Sequence, residues 1–158
     1  IKRALRLDKM RLASLEATLK LYRDPARLIE RLPTLRYLTR PLHEIKAQAT
    51  RMAAILKDRL ATPFAVSVRD LDSQIGSGAL PLEAVPSAGI AIEPISRKET
   101  GRQLESIAAA FRALPMPVIG RTEKGALVFD VRCLDDEARF VAQLDRLAAG
   151  IDRRMGAP

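Results

Sequence analysis

The chain has 158 residues, 47% of them hydrophobic, a single cysteine, a single histidine and a formal net charge of +8. That size supports one compact domain plus a protruding element, and the composition excludes an intrachain disulfide, a thiolate zinc site and a histidine metal cluster. No apolar run approaches the roughly 18 residues that span a bilayer and no signal pattern opens the chain, so the expectation is a soluble, cytoplasmic protein without a membrane partner.

The charge is segregated. Residues 1–60 hold 15 Lys and Arg against 6 Asp and Glu, whereas residues 61–158 hold 12 against 13. A basic element attached to a neutral domain points to a polyanionic partner, nucleic acid or phosphate, and equally describes a solvated Arg-rich helical surface. A charged helical pattern is already running at Ile1, which reads as a piece of a longer polypeptide.

From Leu5, the apolar residues Leu12, Leu15, Leu19 and Tyr22 fall on one helical face and predict a long amphipathic helix that stops near Asp24-Pro25. A short helix is expected from Pro25 to Leu32. Between Pro33 and Pro41 there is room for one further short helical turn. Leu42, Ile45, Ala49, Met52, Ala53, Leu56 and Leu60 then mark a second amphipathic helix. At Pro63 the period changes to alternation, with Phe64, Val66 and Val68 on one side of a half-buried strand. Residues Asp70 to Pro86 read as a loop, and Ala88 to Glu93 as a second short strand. A third helix carries Leu104, Ile107, Ala108, Phe111 and Leu114 and ends at Pro115 and Pro117. A hairpin follows, Val118 to Thr122 and Ala126 to Val131, around Glu123-Lys124-Gly125. Asp135, Asp136 and Glu137 favour the start of a last helix that runs to about Ala149. This order predicts an α+β fold, a four-stranded antiparallel or mixed sheet covered on one face by helices. Its divisions are a basic helical connecting segment at 1–60, an α+β domain at 61–150 and a frayed tail at 151–158.

Arg3 and Arg6 are three apart, so in a helix both guanidinium groups can turn to one side and grip one phosphate-like anion; basic helices show the same spacing by chance. The Ser73 to Gly78 stretch could offer backbone amides to an anion, but it leads to another strand instead of a helix and reads better as a connection. His43 has no catalytic partner in the pattern and reads as a helix-end residue. Cys133 is expected to be a small core residue. No triad, paired-carboxylate motif or metal signature is present.

Six stretches, in order, resemble the C-terminal part of the bacterial L-seryl-tRNA(Sec) selenium transferase family. They are Arg3 to Met10, Leu15 to Leu19, Leu32 to Arg36, Gln74 to Pro81, Pro117 to Arg121 and Phe129 to Leu134. The resemblance implies the small C-terminal domain of an aspartate-aminotransferase-like (fold type I) enzyme that uses pyridoxal 5'-phosphate. It further implies conversion of seryl-tRNA(Sec) to selenocysteyl-tRNA(Sec) with selenophosphate as donor, in a homo-oligomeric ring of dimers. Arg3 and Arg6 match the family's arginines that hold the selenium donor or its phosphate product, and Asp8 and Lys9 match its pattern without an assigned role beyond orienting the arginines. The family's Schiff-base lysine lies in a Ser-Gly-Asp-Lys-Leu-Leu-Gly-Gly context. None of Lys2, Lys9, Lys20, Lys46, Lys57, Lys98 or Lys124 has it, so the chain alone is expected to be inactive. Two other readings stand beside this one: a non-catalytic module that binds RNA or mediates oligomerisation, and a related fold type I enzyme acting on free amino acids.

Overall fold

A computed structural model describes residues 7–60, 63–74 and 84–147. The chain divides into two compact units at the junction of Arg40 and Pro41.

The first unit is helical. Asp8 ends its extended backbone by accepting the amide of Arg11 on Oδ1 at 2.9 Å, and helix α1 runs Lys9–Leu21. The cap satisfies one of the donors that every helix start leaves open. Tyr22 closes α1, just before the predicted stop near Asp24-Pro25. Pro25 and Pro33 each occupy the first turn of a short helix, α2 (Pro25–Arg31) and α3 (Pro33–Thr39), where a missing N–H costs nothing. Leu32 is the hinge between them, closing α2 through Leu28 O and accepting the amide of Arg36. No side chain of α1, α2 or α3 is buried.

The second unit opens with α4 (Leu42–Leu60), bounded as the apolar period predicts. Ile45, Ala49, Met52, Ala53, Leu56 and Leu60 form its buried face, whereas Leu42 at the first position stays exposed. The helix falls within the predicted 1–60 segment but packs on the sheet of this unit.

That sheet has four antiparallel strands in the order β1-β2-β4-β3. The strands are β1 (Phe64–Ser73), β2 (Val85–Pro94), β3 (Arg121–Glu123) and β4 (Ala126–Asp130). β1 and β2 pair over ten residues, from Phe64 opposite Pro94 to Ser73 opposite Val85. Both exceed the predicted strands, and the predicted loop from Asp70 to Pro86 gives way to strand at either end. β3 is shorter than predicted and starts at Arg121. Lys124 and Gly125 both adopt positive φ, 49° and 76°, as the two central residues of a tight hairpin turn require. Helix α5 (Thr100–Arg112) lies between β2 and β3 in sequence, and α6 (Glu137–Ala142) follows β4. α6 is shorter than predicted: Asp136 caps it by accepting the Arg139 amide at 2.8 Å, and single turns continue to Leu147.

Alternate residues of the central strands face the helices. Ala88, Ile90 and Ile92 of β2 and Leu127 and Phe129 of β4 join Ile45, Met52 and Leu56 of α4, Leu104, Ile107 and Phe111 of α5, and Phe140 of α6 in one core. The Phe111 and Phe129 rings sit 4.6 Å apart at a tilt of 53°, an arrangement that aromatic quadrupoles favour. Small side chains occupy the opposite sheet face, where Ala91, Ala126 and Val128 form a second buried cluster against Leu71. The architecture is therefore the predicted α+β, and the sheet is antiparallel throughout.

Candidate functional site

The residues singled out as anion ligands, Arg3 and Arg6, lie outside the described residues, as do residues 75–78 of the Ser73 to Gly78 stretch. Their neighbour Asp8 is described, and its role is local. Besides capping α1, it pairs through Oδ2 with Arg11 Nε at 3.3 Å. Lys9 is simply the exposed first residue of α1. His43 is exposed in the first turn of α4, as expected.

Cys133 departs from expectation. The chain turns sharply at Arg132 and Cys133 after β4, and the turn directs Val131 and Arg132 inward and Cys133 outward. The thiol is exposed instead of packed in the core.

Two features of the charged surface emerge. In the first unit, Lys20 pairs with Glu16 at 2.7 Å, and the Arg36 guanidinium lies 5.1 Å from the centre of the Tyr37 ring. Arg23, Arg27 and Arg31 are exposed and have no ion pair among the described residues. Arg27 and Arg31 are one turn apart on α2, so their charges sum on one side of that helix. In the second unit, by contrast, several cations face carboxylates. Lys46 meets Asp70 at 2.8 Å, Arg51 meets Glu137 at 2.6 Å, and Arg59 meets Asp145. Among the described residues the excess of positive charge lies in the helical unit, where Lys and Arg outnumber Asp and Glu, whereas the two signs nearly balance in the second.

Sequence reasoning missed the most elaborate polar cluster of the described residues. Asp130, at the end of β4, accepts the Ser73 hydroxyl on Oδ2, and on Oδ1 accepts the Ser87 hydroxyl at 2.8 Å and the Arg132 amide at 3.0 Å. Ser73, Ser87 and Arg132 are all buried, and the Arg132 guanidinium donates to Pro86 O. The cluster fastens the last residue of β1 to the start of β2 and to the exit of β4. An aspartate and an arginine two apart, directly behind the apolar run Ala126 to Phe129, were the only signal of it in the sequence. Among the described residues no group of three or more His, Cys, Asp or Glu could hold a metal ion, and no helix is long and apolar enough to cross a membrane.

With this geometry in hand, comparison with known proteins is decisive. The family model described as L-seryl-tRNA selenium transferase matches residues 1–135. The chain belongs to that family. Three relatives named L-seryl-tRNA(Sec) selenium transferase show how far the likeness extends. The protein from Methylocella silvestris is 54% identical over 94% of this chain, that from Klebsiella pneumoniae 54% over 92%, and that from Rhizobium meliloti 53% over 91%. The aligned part is 31%, 31% and 30% of their respective lengths, so the chain spans about a third of the relatives that it matches. The match to the family covers all of the helical unit, the sheet and the Asp130 cluster.

Proposed function

We propose that this chain is the C-terminal part of an enzyme that converts L-seryl-tRNA(Sec) to L-selenocysteyl-tRNA(Sec) with selenophosphate as selenium donor. The observation that carries this reading is 54% identity over 94% of the chain to a protein bearing that name. The antiparallel sheet with its helical cover, which includes α4 and so begins at Pro41 instead of residue 61, is compatible with the small domain of a fold type I enzyme, with residues 1–40 leading into it. The setting is the cytoplasm.

Pyridoxal 5'-phosphate belongs to this reading, but the residues described do not fit it. A Schiff-base lysine has to lose its charge, which a sheltered site promotes. Here Lys9, Lys20, Lys57, Lys98 and Lys124 are exposed, and Lys46 is tied to Asp70. The cofactor is accordingly assigned to other parts of the polypeptide, and the chain by itself is inactive.

This chain contributes binding. Arg3 and Arg6 hold the anionic selenium donor or the phosphate released from it, a task suited to planar guanidinium groups with paired donors. Arg23, Arg27 and Arg31 add a sequence-independent attraction for the tRNA backbone or for an acidic face of a neighbouring subunit in a ring of dimers.

The test uses the full-length polypeptide. Purified with its cofactor, it should convert seryl-tRNA(Sec) when selenophosphate is supplied, and turnover of free amino acids in place of the charged tRNA would replace the proposal with that of a related enzyme. Arg3→Ala and Arg6→Ala should each impair selenium transfer and leave the cofactor's absorbance unchanged. Wild-type rates in both variants would remove the donor-binding role, and RNA binding without conversion would favour a non-catalytic module.

A further inference from the structure

Helix α1 carries its charge on a single stripe. Lys9, Glu16 and Lys20 are spaced seven and four apart, which stacks them along one line of the helix, and Glu16 pairs with Lys20 within it. Arg11, the other charged residue of α1, is held at the first turn by Asp8. The rest of the helix is apolar or small. Leu12, Leu15 and Leu19, with Tyr22 at the cap, form a ridge on one side of the charged stripe, and Ala13, Ala17 and Leu21 run along its other side. Between these two flanks, away from the charges, the hydroxyls of Ser14 and Thr18 donate to Met10 O and Ser14 O, each at 2.9 Å. Turned back onto their own helix, they bring no unmet donor to that side.

In this chain that surface is bare. Leu12, Leu15, Leu19 and Tyr22 are about half exposed, Ala13 and Ala17 are exposed, and no side chain of α1 is buried. A helix whose charge is confined to one narrow stripe has the pattern of a helix covered on most of its sides, and contiguous exposed apolar surface marks a contact. The two apolar flanks decide what kind of contact. A second copy meeting α1 across a two-fold axis lays one helix on one flank and leaves the other in water. Covering both flanks takes a groove, which a folded body of some size provides. The polypeptide outside this chain is large enough, since the aligned part is only 31% of the length of the relatives from Methylocella silvestris and Klebsiella pneumoniae.

We propose that α1 is seated in an apolar groove of its own polypeptide, formed by the part that precedes Ile1 in the full-length protein, with both flanks covered and only the stripe of Lys9, Glu16 and Lys20 left to water. This rests on the reading of the chain as a C-terminal part. Ala13 and Ala17 let a neighbouring backbone come close on one flank, and the leucine ridge interdigitates on the other. The contact forms as the polypeptide folds and is therefore independent of protein concentration.

The full-length polypeptide carrying Leu15→Cys, Ala17→Cys or Lys20→Cys, one at a time, can be treated with iodoacetamide and the labelled position located by peptide mass. Lys20→Cys should react as an open thiol. Leu15→Cys and Ala17→Cys should react about a hundredfold more slowly, and equally so at protein concentrations about a hundredfold apart. Hydrogen exchange of α1 in the unsubstituted polypeptide should show protection that dilution leaves unchanged, a measurement that holds even where a cysteine variant fails to fold. The proposal is overturned if the three thiols react alike, if only one of Leu15→Cys and Ala17→Cys is shielded, or if shielding or protection falls on dilution, which makes the occupant a second copy. Conversion of seryl-tRNA(Sec) by the same preparation tests the underlying reading separately. An active protein with a bare α1 loses this contact and keeps its function, and an inactive protein with a shielded α1 does the reverse.

Discussion

The guanidinium of Arg51 on α4 grips the carboxylate of Glu137 at the start of α6 through two contacts, Nη2 to Oε1 at 2.6 Å and Nε to Oε2 at 3.3 Å. The paired geometry raises the Arg51 pKa, with its hydrogen bond to Glu137 as the main cause. A raised pKa means that this contribution is complete below the ordinary arginine range and fades only as pH climbs through it. Arg51→Ala should therefore lower the melting temperature by a few degrees at most, uniformly from mildly acidic to mildly alkaline pH, and less in high salt, because the pair is open to solvent. Calorimetry at two ionic strengths checks this.

Glu123 behaves in the opposite sense. The Arg121 guanidinium, donating from Nε at 3.0 Å, holds the Glu123 carboxyl below the usual carboxylate range. A depressed value gives stability that is present above the ordinary carboxylate pKa and is lost as pH falls through the lowered one. In Glu123→Gln the acid limb of a melting-temperature profile should flatten slightly while the neutral plateau hardly moves. An unchanged acid limb would remove the coupling.

Asp130→Ala takes the acceptor from two hydroxyls and one amide at once, in a place where Ser73, Ser87 and Arg132 have little access to water. Unmet buried donors are costly, and a loss of about 2–4 kcal/mol is expected in urea unfolding. Ser87→Ala, which removes one donor and leaves the acceptor with others, should cost less.

Two glycines should respond in opposite directions. A Cβ on Gly89 would come within 2.1 Å of Phe129 O and 2.5 Å of Leu71 Cδ1, so Gly89→Ala must force β2 away from its neighbours. A loss of about 3 kcal/mol or more is expected. At Gly101, in the first turn of α5, nothing lies within 4 Å, and Gly101→Ala should stabilise by about 0.5 kcal/mol through helix propensity.

If the helical unit attracts RNA, the attraction will show in its salt dependence. Replacing Arg27 and Arg31 by Glu should weaken RNA binding by the 158-residue chain without sequence preference and reduce the slope of log affinity against log salt by roughly 2. Fluorescence anisotropy across a salt series measures both.

Where the sequence spoke most clearly, in α4, one period repeated over nineteen residues and the helix follows it from end to end. The stripe of Leu12, Leu15 and Leu19 was equally regular, yet those side chains are about half exposed, because periodicity reports the side on which a helix is apolar and not what lies against it. β2 was read short because Pro86 closes a stretch rich in Gly, Ser and Pro that looks like a loop. Pro86 is tolerated because β4 pairs with β2 only from Gly89 to Ile92, which leaves β1 as the sole neighbour at Pro86. Gly89 is needed for the close approach to Phe129. The Asp130 cluster was hidden for another reason: its members come from three strand ends, and only the ten-residue pairing of β1 with β2 brings Ser73 and Ser87 together.

β1 forms one border of the sheet, and no further strand among the described residues lies beyond it. Ten residues of open backbone would ordinarily invite another molecule to zip alongside. Arg69, Asp70 and Asp72 stand along that border, with Lys46 reaching across from α4 to Asp70, so a second strand would have to strip water from a row of charges. The same row that spoils the hydrophobic alternation of β1 thus disfavours strand pairing along this border.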